Sequence, residues 1–183
     1  MDEKSPKRLA PAGAAAPPRA ARSARSARSA GLLVFRTTPR GLEFLLVHPG
    51  GPFWRSRDDG AWSIPKGLID PDEDELAAAQ REFHEETGLA PPGGPYQRLA
   101  DLRQKSGKTV LCWLVAGDLD LAGFRSNTFE MEWPRGSGRR ITAPECDRAA
   151  YFPTDQAMQK VLGGQAGFIA QALQLSKGVP DGA

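Results

Sequence analysis

Cysteine and long apolar runs are both scarce in this chain. Only two of the 183 residues are cysteines, Cys112 and Cys146, and they lie far apart with no Cys-x-x-Cys pair. This excludes a disulfide-stabilised scaffold and a zinc-finger framework, and it favours the reducing cytoplasm. No apolar run approaches the ~20 residues that a membrane helix needs, so we expect neither a transmembrane segment nor a membrane partner.

Acidic residues and bulky apolar residues are nearly missing from residues 1–30. This segment holds seven lysines and arginines against two acidic residues, whereas the rest of the chain has a small acidic excess. It consists mainly of Ala, Pro, Arg and Ser and ends in a repeat of Arg-Ser-Ala. Burial in such a segment cannot offset the entropy lost on ordering, so the composition predicts a disordered basic tail. A transit peptide and an RNA-contacting segment stay open as alternatives.

Residues 31–176 have the composition of one folded domain, and residues 177–183 are expected to form a frayed C-terminus. Helical periodicity follows Asp72, the predicted N-cap, and stops at Gly88, whereas residues 117–147 show no regular pattern. Two further helices are predicted at 155–162 and 165–175. Apolar runs predict strands at 31–37, 42–48, 61–64, 99–102, 109–116 and 149–152. Strands combined with central and terminal helices predict one α/β sandwich domain.

The central helical segment carries three glutamates on one face. At 100° per residue, Glu82, Glu85 and Glu86 lie together. Beside them is the stripe expected to face the core, formed by Leu76, Ala79, Phe83 and Thr87. Like charges at these spacings repel one another, and the negative end of the helix dipole disfavours them further. A hard divalent cation such as Mg²⁺ would compensate both effects, and a solvated acidic face is the alternative.

The glutamates belong to a longer pattern. Gly67 is followed after five residues by Glu73, after seven more by Arg-Glu-Phe (81–83), and then by Glu85-Glu86 and Gly88-Leu89. This pattern resembles the Nudix box, Gly-x5-Glu-x7-Arg-Glu-U-x-Glu-Glu-x-Gly-U, in which U is a bulky apolar residue. Every fixed position of the box is filled in this chain.

Resemblance to the Nudix family implies a fold and a set of roles. The implied fold is an α/β/α sandwich with a mixed β-sheet, in which the box forms a loop–helix–loop. The resemblance assigns a Mg²⁺ site, which could also take Mn²⁺, to one backbone carbonyl and three carboxylates: Gly67, Glu82, Glu85 and Glu86. Glu82 is the first candidate for the general base. Structural roles fall to Glu73, Arg81 and Gly88, with Glu73 and Arg81 paired.

A later loop offers one more carboxylate. Pro144-Glu145, with Tyr151-Phe152 downstream, resembles a segment of RNA pyrophosphohydrolases and dinucleoside polyphosphate hydrolases in which the glutamate reaches the metals. Glu145 therefore joins Glu82 and Glu85 as a catalytic candidate. Two other glutamates of the region are kept in reserve, Glu130 and Glu132.

Residues before the box are candidates for binding substrate. Lys66 lies in a Trp-x-x-Pro-Lys-Gly run that resembles diadenosine-tetraphosphate-type and decapping-type members, and as a point charge it could bind polyphosphate. Three aromatic side chains are candidates for stacking on a base, with core packing as the alternative: Phe53, Trp54 and Trp62.

These features favour a Nudix pyrophosphohydrolase that acts on a small-molecule nucleotide. The expected reaction is Mg²⁺-dependent hydrolysis of a phosphoanhydride bond in a nucleoside diphosphate-linked substrate, and a (di)nucleoside polyphosphate is the favoured class. Two alternatives stay open: a nucleotide-sensing module that binds without cleaving, and an RNA 5′-end pyrophosphohydrolase directed by the basic tail. The chain lacks the downstream tyrosine usual in diadenosine-tetraphosphate members, which leaves the exact substrate open.

Overall fold

A mixed β-sheet forms the centre of the structure, a computed structural model that describes residues 28–177. Its strands are β1 (Arg28–Thr38), β2 (Gly41–Pro49), β3 (Lys66–Leu68), β4 (Gln97–Arg98), β5 (Leu102–Arg103), β6 (Thr109–Ala116) and β9 (Cys146–Pro153). The strand order is β4-β6-β1-β2-β9, with β3 paired to β1 and β5 paired to β6. β1 and β6 run parallel, whereas the other pairs are antiparallel.

Helices cover both faces of this sheet. Because side chains alternate along a strand, Leu32 of β1 joins a core with Phe83 of α1 (Glu75–Thr87) on one face. Leu33 points to the other face, where the core includes Phe168 of α3 (Ala166–Lys177) and Ala157 of α2 (Thr154–Lys160). The predicted α/β/α sandwich with a mixed sheet is therefore confirmed.

The first strand begins earlier than the sequence analysis placed the start of the folded domain, at residue 31. β1 starts at Arg28, and Ser29–Gly31 pair with Lys66–Leu68 on β3. Gly31 permits this close pairing, because a Cβ there would overlap the Lys66 side chain and the Pro65 carbonyl. At the other end α3 extends through Lys177. The remaining residues of the predicted tail and frayed end, 1–27 and 178–183, lie outside the described residues.

Residues 117–147 are more regular than the sequence indicated. They contain one turn of 3-10 helix at Leu121–Gly123 and an antiparallel hairpin of β7 (Thr128–Glu132) and β8 (Arg140–Pro144). Residues 61–64, expected to form a strand, make only isolated bridges at Trp62 and Ser63. None of the described helices is both long enough and apolar enough to span a membrane.

Candidate active site

Capping residues fix both ends of α1 and so the position of its last turn. The Asp74 side chain accepts hydrogen bonds from two backbone N–H groups of the first turn, at 3.0 and 2.9 Å. The N-cap predicted at Asp72 is therefore wrong, and Asp72 instead lies in the preceding turn with a φ of 64°. Gly88 ends the helix, as expected, in the left-handed conformation, and its N–H donates to the His84 carbonyl at 2.7 Å.

Glu82 packs directly against Gly67. The Glu82 residue is 7% exposed, and a Cβ at Gly67 would overlap its carboxylate. Burial raises the pKa of Glu82, and the hydrogen bond and charge of Arg81 oppose that shift. The close contact explains why the chain has glycine at this point of β3.

Glu86 faces Lys66 on the neighbouring strand. Its Oε2 atom accepts a hydrogen bond from the Lys66 backbone N–H at 3.0 Å. Burial raises the pKa of Glu86 to about 7, and the negative charges of Glu82 and Glu145 add to this effect, whereas Lys66 opposes it. Glu82, Glu86 and Glu145 therefore share one electrostatic environment, with the Lys66 ammonium beside it.

Arg81 ties the loop before α1 to the acidic face. Its guanidinium pairs with Glu73 at 2.8 and 2.9 Å and donates to the Leu68 carbonyl at 3.0 Å. The same group contacts the carboxylates of Glu82 at 2.9 Å and Glu85 at 3.3 Å. The hydrogen bonds from Arg81 lower the pKa of Glu73 to about 2. The Glu73–Arg81 pair expected from the motif is thus present.

Glu145 lies where β8 passes into β9, and its backbone is anchored to the box helix. The Glu145 N–H donates to the Asn127 carbonyl at 2.8 Å, and the Asn127 N–H donates to the Glu85 carbonyl at 2.9 Å. On the other side, the Gly50 N–H donates to the Glu145 carbonyl at 2.9 Å. The structure therefore brings Glu145 to the box glutamates.

The two reserve glutamates are engaged elsewhere. Glu130 is exposed and forms an ion pair with Arg140 across the β7–β8 hairpin at 3.0 Å. Glu132 accepts a hydrogen bond from the Gly138 N–H at 2.6 Å in the hairpin loop. Both side chains serve the hairpin itself.

The three aromatic stacking candidates differ in exposure: Phe53 is exposed, Trp54 is half-buried and Trp62 is buried. Trp62 is buried, and its Nε1–H donates to Asp58 at 2.8 Å, while Trp54 packs against the core. Phe53 is 55% exposed. Its ring packs against the Trp133 ring in a T-shaped arrangement, with the ring centroids 4.7 Å apart and the ring planes at 77°. Sequence reasoning missed Trp133 because the hairpin carrying it was not predicted.

His48 is a further residue whose role the sequence did not indicate. It is fully buried, with Nδ1 at 2.7 Å from Asp147 Oδ1 and Nε2 at 2.8 Å from the Arg57 carbonyl. It therefore joins the start of β9, two residues after Glu145, to the loop between β2 and β3. His84 is exposed on α1, as expected for a variable position of the box.

Comparison with known proteins identifies the family. The NUDIX domain family matches residues 25–171, most of the chain. The chain belongs to the Nudix family. The matched range includes the segment that resembles the Nudix box, from Gly67 to Leu89.

Two curated relatives of this Nudix domain have the same enzyme name. The chain is 35% identical to the bis(5′-nucleosyl)-tetraphosphatase [asymmetrical] of Rattus norvegicus over 98 residues, 46% of this chain and 61% of that protein. It is 40% identical to the Caenorhabditis elegans protein of the same name over 60 residues, 33% of this chain and 39% of that protein. The chain thus spans less than two thirds of the length of these relatives.

Solved structures share the fold of this Nudix domain. The C. elegans Ap4A hydrolase in a binary complex has a TM-score of 0.59 at 22% identity, covering 82% of this chain and 99% of that one. The NUDIX domain of Shewanella oneidensis NrtR, complexed with ADP ribose, has a TM-score of 0.55 at 18% identity, covering 88% and 94%. At these identities, both comparisons show a shared fold and nothing more.

The donor set of the Nudix box fits a hard divalent cation by its chemistry. Glu82, Glu85 and Glu86 supply carboxylate oxygens, and burial together with mutual repulsion raises the pKa of Glu86, a cost that a cation would offset. Among residues 28–177, no three Asp, Glu, His or Cys side chains already meet in a ligating cluster. Arg81 instead contacts two of the carboxylates in this arrangement.

Proposed function

We propose that this chain hydrolyses a phosphoanhydride bond in a nucleoside diphosphate-linked substrate, using Mg²⁺ or Mn²⁺. The observation that carries the proposal is the burial of Glu82 and Glu86 within reach of the negative charge of Glu145, with Glu86 accepting a hydrogen bond from the Lys66 backbone N–H at 3.0 Å. Such a grouping of partly buried carboxylates is unfavourable unless a cation and an anionic substrate belong there.

Each residue of the site has a role in this reaction. The carbonyl of Gly67 and the carboxylates of Glu82, Glu85 and Glu86 would hold the cation. When bound, the cation supplies Lewis-acid stabilisation of phosphoryl oxygens and lowers the pKa of an attacking water. Glu82, whose pKa is raised by burial, is suited to accept the proton of that water.

The neighbouring residues position substrate and ligands. Lys66 provides a positive charge for the phosphates beside Glu86. Glu145, whose backbone is fixed through Asn127 and Gly50, adds a carboxylate from the connection between β8 and β9. The pair of Glu73 and Arg81 holds the loop against the helix.

A dinucleoside polyphosphate is the substrate class that we favour. The supporting observation is the name bis(5′-nucleosyl)-tetraphosphatase shared by curated relatives at 35% and 40% identity. A sensing module that binds without cleavage would be compatible with the same fold. The presence of all three box glutamates favours the enzyme, because cleavage needs the complete ligand set.

The test is release of nucleotide products from a panel of substrates, in Mg²⁺ and in EDTA. The panel contains diadenosine tetraphosphate, ADP-ribose, ATP and a 5′-triphosphorylated RNA. We expect Mg²⁺-dependent turnover, fastest for diadenosine tetraphosphate. Tight nucleotide binding without turnover of any substrate would instead assign a sensing role, and RNA turnover lost on deleting residues 1–27 would assign the RNA reaction.

A further inference from the structure

His48 is a fully buried side chain with a polar partner at each ring nitrogen. Its Nε2–H donates to the backbone carbonyl of Arg57 at 2.8 Å, and its Nδ1 lies 2.7 Å from the Oδ1 atom of Asp147. The Trp62 ring packs against the imidazole with ring centroids 5.2 Å apart. A buried polar group that loses its partner costs free energy, so the arrangement around His48 depends on both contacts.

Asp147 is an extra residue in the pairing of β9 with β2. The register pairs on either side of it are Pro49 with Cys146 and His48 with Arg148. Such a β-bulge bends the strand and redirects the side chains next to it. Glu145 lies two residues before the bulged residue, about 7 Å along a strand. The conformation of the bulge therefore affects where the Glu145 side chain points.

The side chains next to the bulge reach different parts of the structure. His48 follows Leu46 by two residues on β2 and so lies on the face of the sheet that α2 and α3 cover. Cys146 instead lies near the box helix, where burial raises the pKa of its thiol and the negative charge of Glu86 adds to the effect. The contact between Asp147 and His48 thus holds one face of the strand while the residues before it reach the box glutamates.

We propose that His48 and Asp147 position the Glu145 carboxylate at the cation site, acting through the bulge between them. This inference rests on the proposed function, because it takes Glu145 to act at the cation. Hydrogen bonds involving Gly50 and Asn127 hold the Glu145 backbone, and the bulge adds a restraint on its C-terminal side. His48 and Asp147 are positioning residues, since they act through Glu145.

The test changes Asp147, whose side chain is 29% exposed, so that its replacement leaves no cavity in the core. Asp147→Ala removes the partner of His48. Asp147→Asn removes the charge but keeps the contact, because its amide N–H can donate to Nδ1. Asp118→Ala is the matched control, because it removes an exposed carboxylate that pairs with Arg36 at 2.8 Å. Each variant is made in the original chain and in a Glu145→Gln background.

Two quantities are measured: kcat for diadenosine tetraphosphate in Mg²⁺, and the affinity for Mn²⁺ alone by calorimetry. We expect Asp147→Ala to lower each about tenfold in the original chain and less than about twofold in the Glu145→Gln background. Asp147→Asn should stay within about threefold of the original chain, and the control should change neither quantity.

Three outcomes would overturn the positioning role. They are no loss in Asp147→Ala, an equal loss in Asp147→Asn, and a loss in Asp147→Ala that is as large in the Glu145→Gln background. A second variant, His48→Gln, removes the contact from the other side while its amide can still donate to the Arg57 carbonyl. Its losses should depend on Glu145 in the same way, and losses that persist without Glu145 would also overturn the role.

Failure of the proposed function has a different signature. If the original chain binds Mn²⁺ and turns over substrate, and Asp147→Ala does both equally well, the positioning role is wrong but the proposed function stands. If the original chain neither binds Mn²⁺ nor turns over substrate, the proposed function is contradicted, and the positioning role with it.

Discussion

The backbone N–H of Gly50 donates to the backbone carbonyl oxygen of Glu145 at 2.9 Å. This contact joins the residue after β2 to the candidate site residue that lies furthest from the box in sequence. No side chain fits between the two segments. A Cβ at Gly50 would overlap the carbonyl of Pro144, the residue just before Glu145. The position of Glu145 therefore depends on a glycine outside the Nudix box.

Replacing this glycine should misplace Glu145. In Gly50→Ala, the added methyl group must push Pro144 and Glu145 away, and we expect kcat to fall about tenfold or more. The free energy of unfolding should fall by about 1–2 kcal/mol. Steady-state kinetics and urea unfolding measure the two effects. The control is Gly93→Ala, because a Cβ at Gly93 meets nothing within 4 Å. Equal kcat in both variants would show that Gly50 does not position Glu145.

The Glu73–Arg81 pair should stabilise the fold in a pH-dependent way. The pKa of Glu73 is lowered to about 2 from an ordinary 4.5, so its contribution is complete above pH 4.5 and is lost as the pH falls towards 2. Allowing for solvent screening, we expect Glu73→Gln to lower the free energy of unfolding by about 1–2 kcal/mol at pH 7.

Urea unfolding at pH 7 and pH 3 tests this expectation. The difference between the original chain and Glu73→Gln should shrink to less than about half by pH 3, because Glu73 is then protonated in the unfolded chain and folding must remove that proton. A difference that stays constant across this range would mean that Glu73 contributes through packing and not through its charge.

Because of Glu86, cation affinity should rise with pH, whereas the free energy of unfolding of the metal-free chain should fall. Its pKa is raised to about 7, so ionisation costs stability as the pH rises from about 4.5 through 7, whereas a cation requires the ionised form. Calorimetry of Mn²⁺ binding should therefore show affinity rising between pH 6 and pH 8. In EDTA at pH 8, Glu86→Gln should be more stable than the original chain by about 1–2 kcal/mol.

The Glu86→Gln variant is the control for this pH dependence of Mn²⁺ binding. Mn²⁺ affinity of Glu86→Gln should be weaker and nearly constant over the same pH range, because glutamine does not titrate. An identical pH dependence in both proteins would assign the titration to another group.

The sequence predicted those parts of the fold whose signals are local. The runs around Leu33 and Leu45 alternate between two cores, as strands covered on both faces do, and the box helix ends at Gly88 as expected. The N-cap was harder to locate because Asp72, Glu73 and Asp74 are three consecutive acidic residues. Tertiary contacts decide among them, because Glu73 forms an ion pair with Arg81, whereas Asp74 caps the helix.

The hairpin of β7 and β8 escaped prediction for a different reason. Its alternation, Phe129 to Trp133, is short and is followed by a Gly- and Arg-rich loop, which resembles irregular chain. Its position depends on long-range backbone bonds through Asn127 to the box helix and to Glu145, and these have no local signature. The box glutamates could be identified from their motif, whereas the hairpin required the structure.

The most direct test of the central claim is the rate of diadenosine tetraphosphate hydrolysis in Mg²⁺ for Glu85→Gln against Glu130→Gln. Glu85 lies on the box face of α1, whereas Glu130 is exposed on the hairpin and pairs with Arg140. If the box glutamates hold a catalytic cation, kcat should fall about 100-fold or more in Glu85→Gln and change less than about twofold in Glu130→Gln, with both variants melting near the original chain. Equal rates in the two variants would contradict the account.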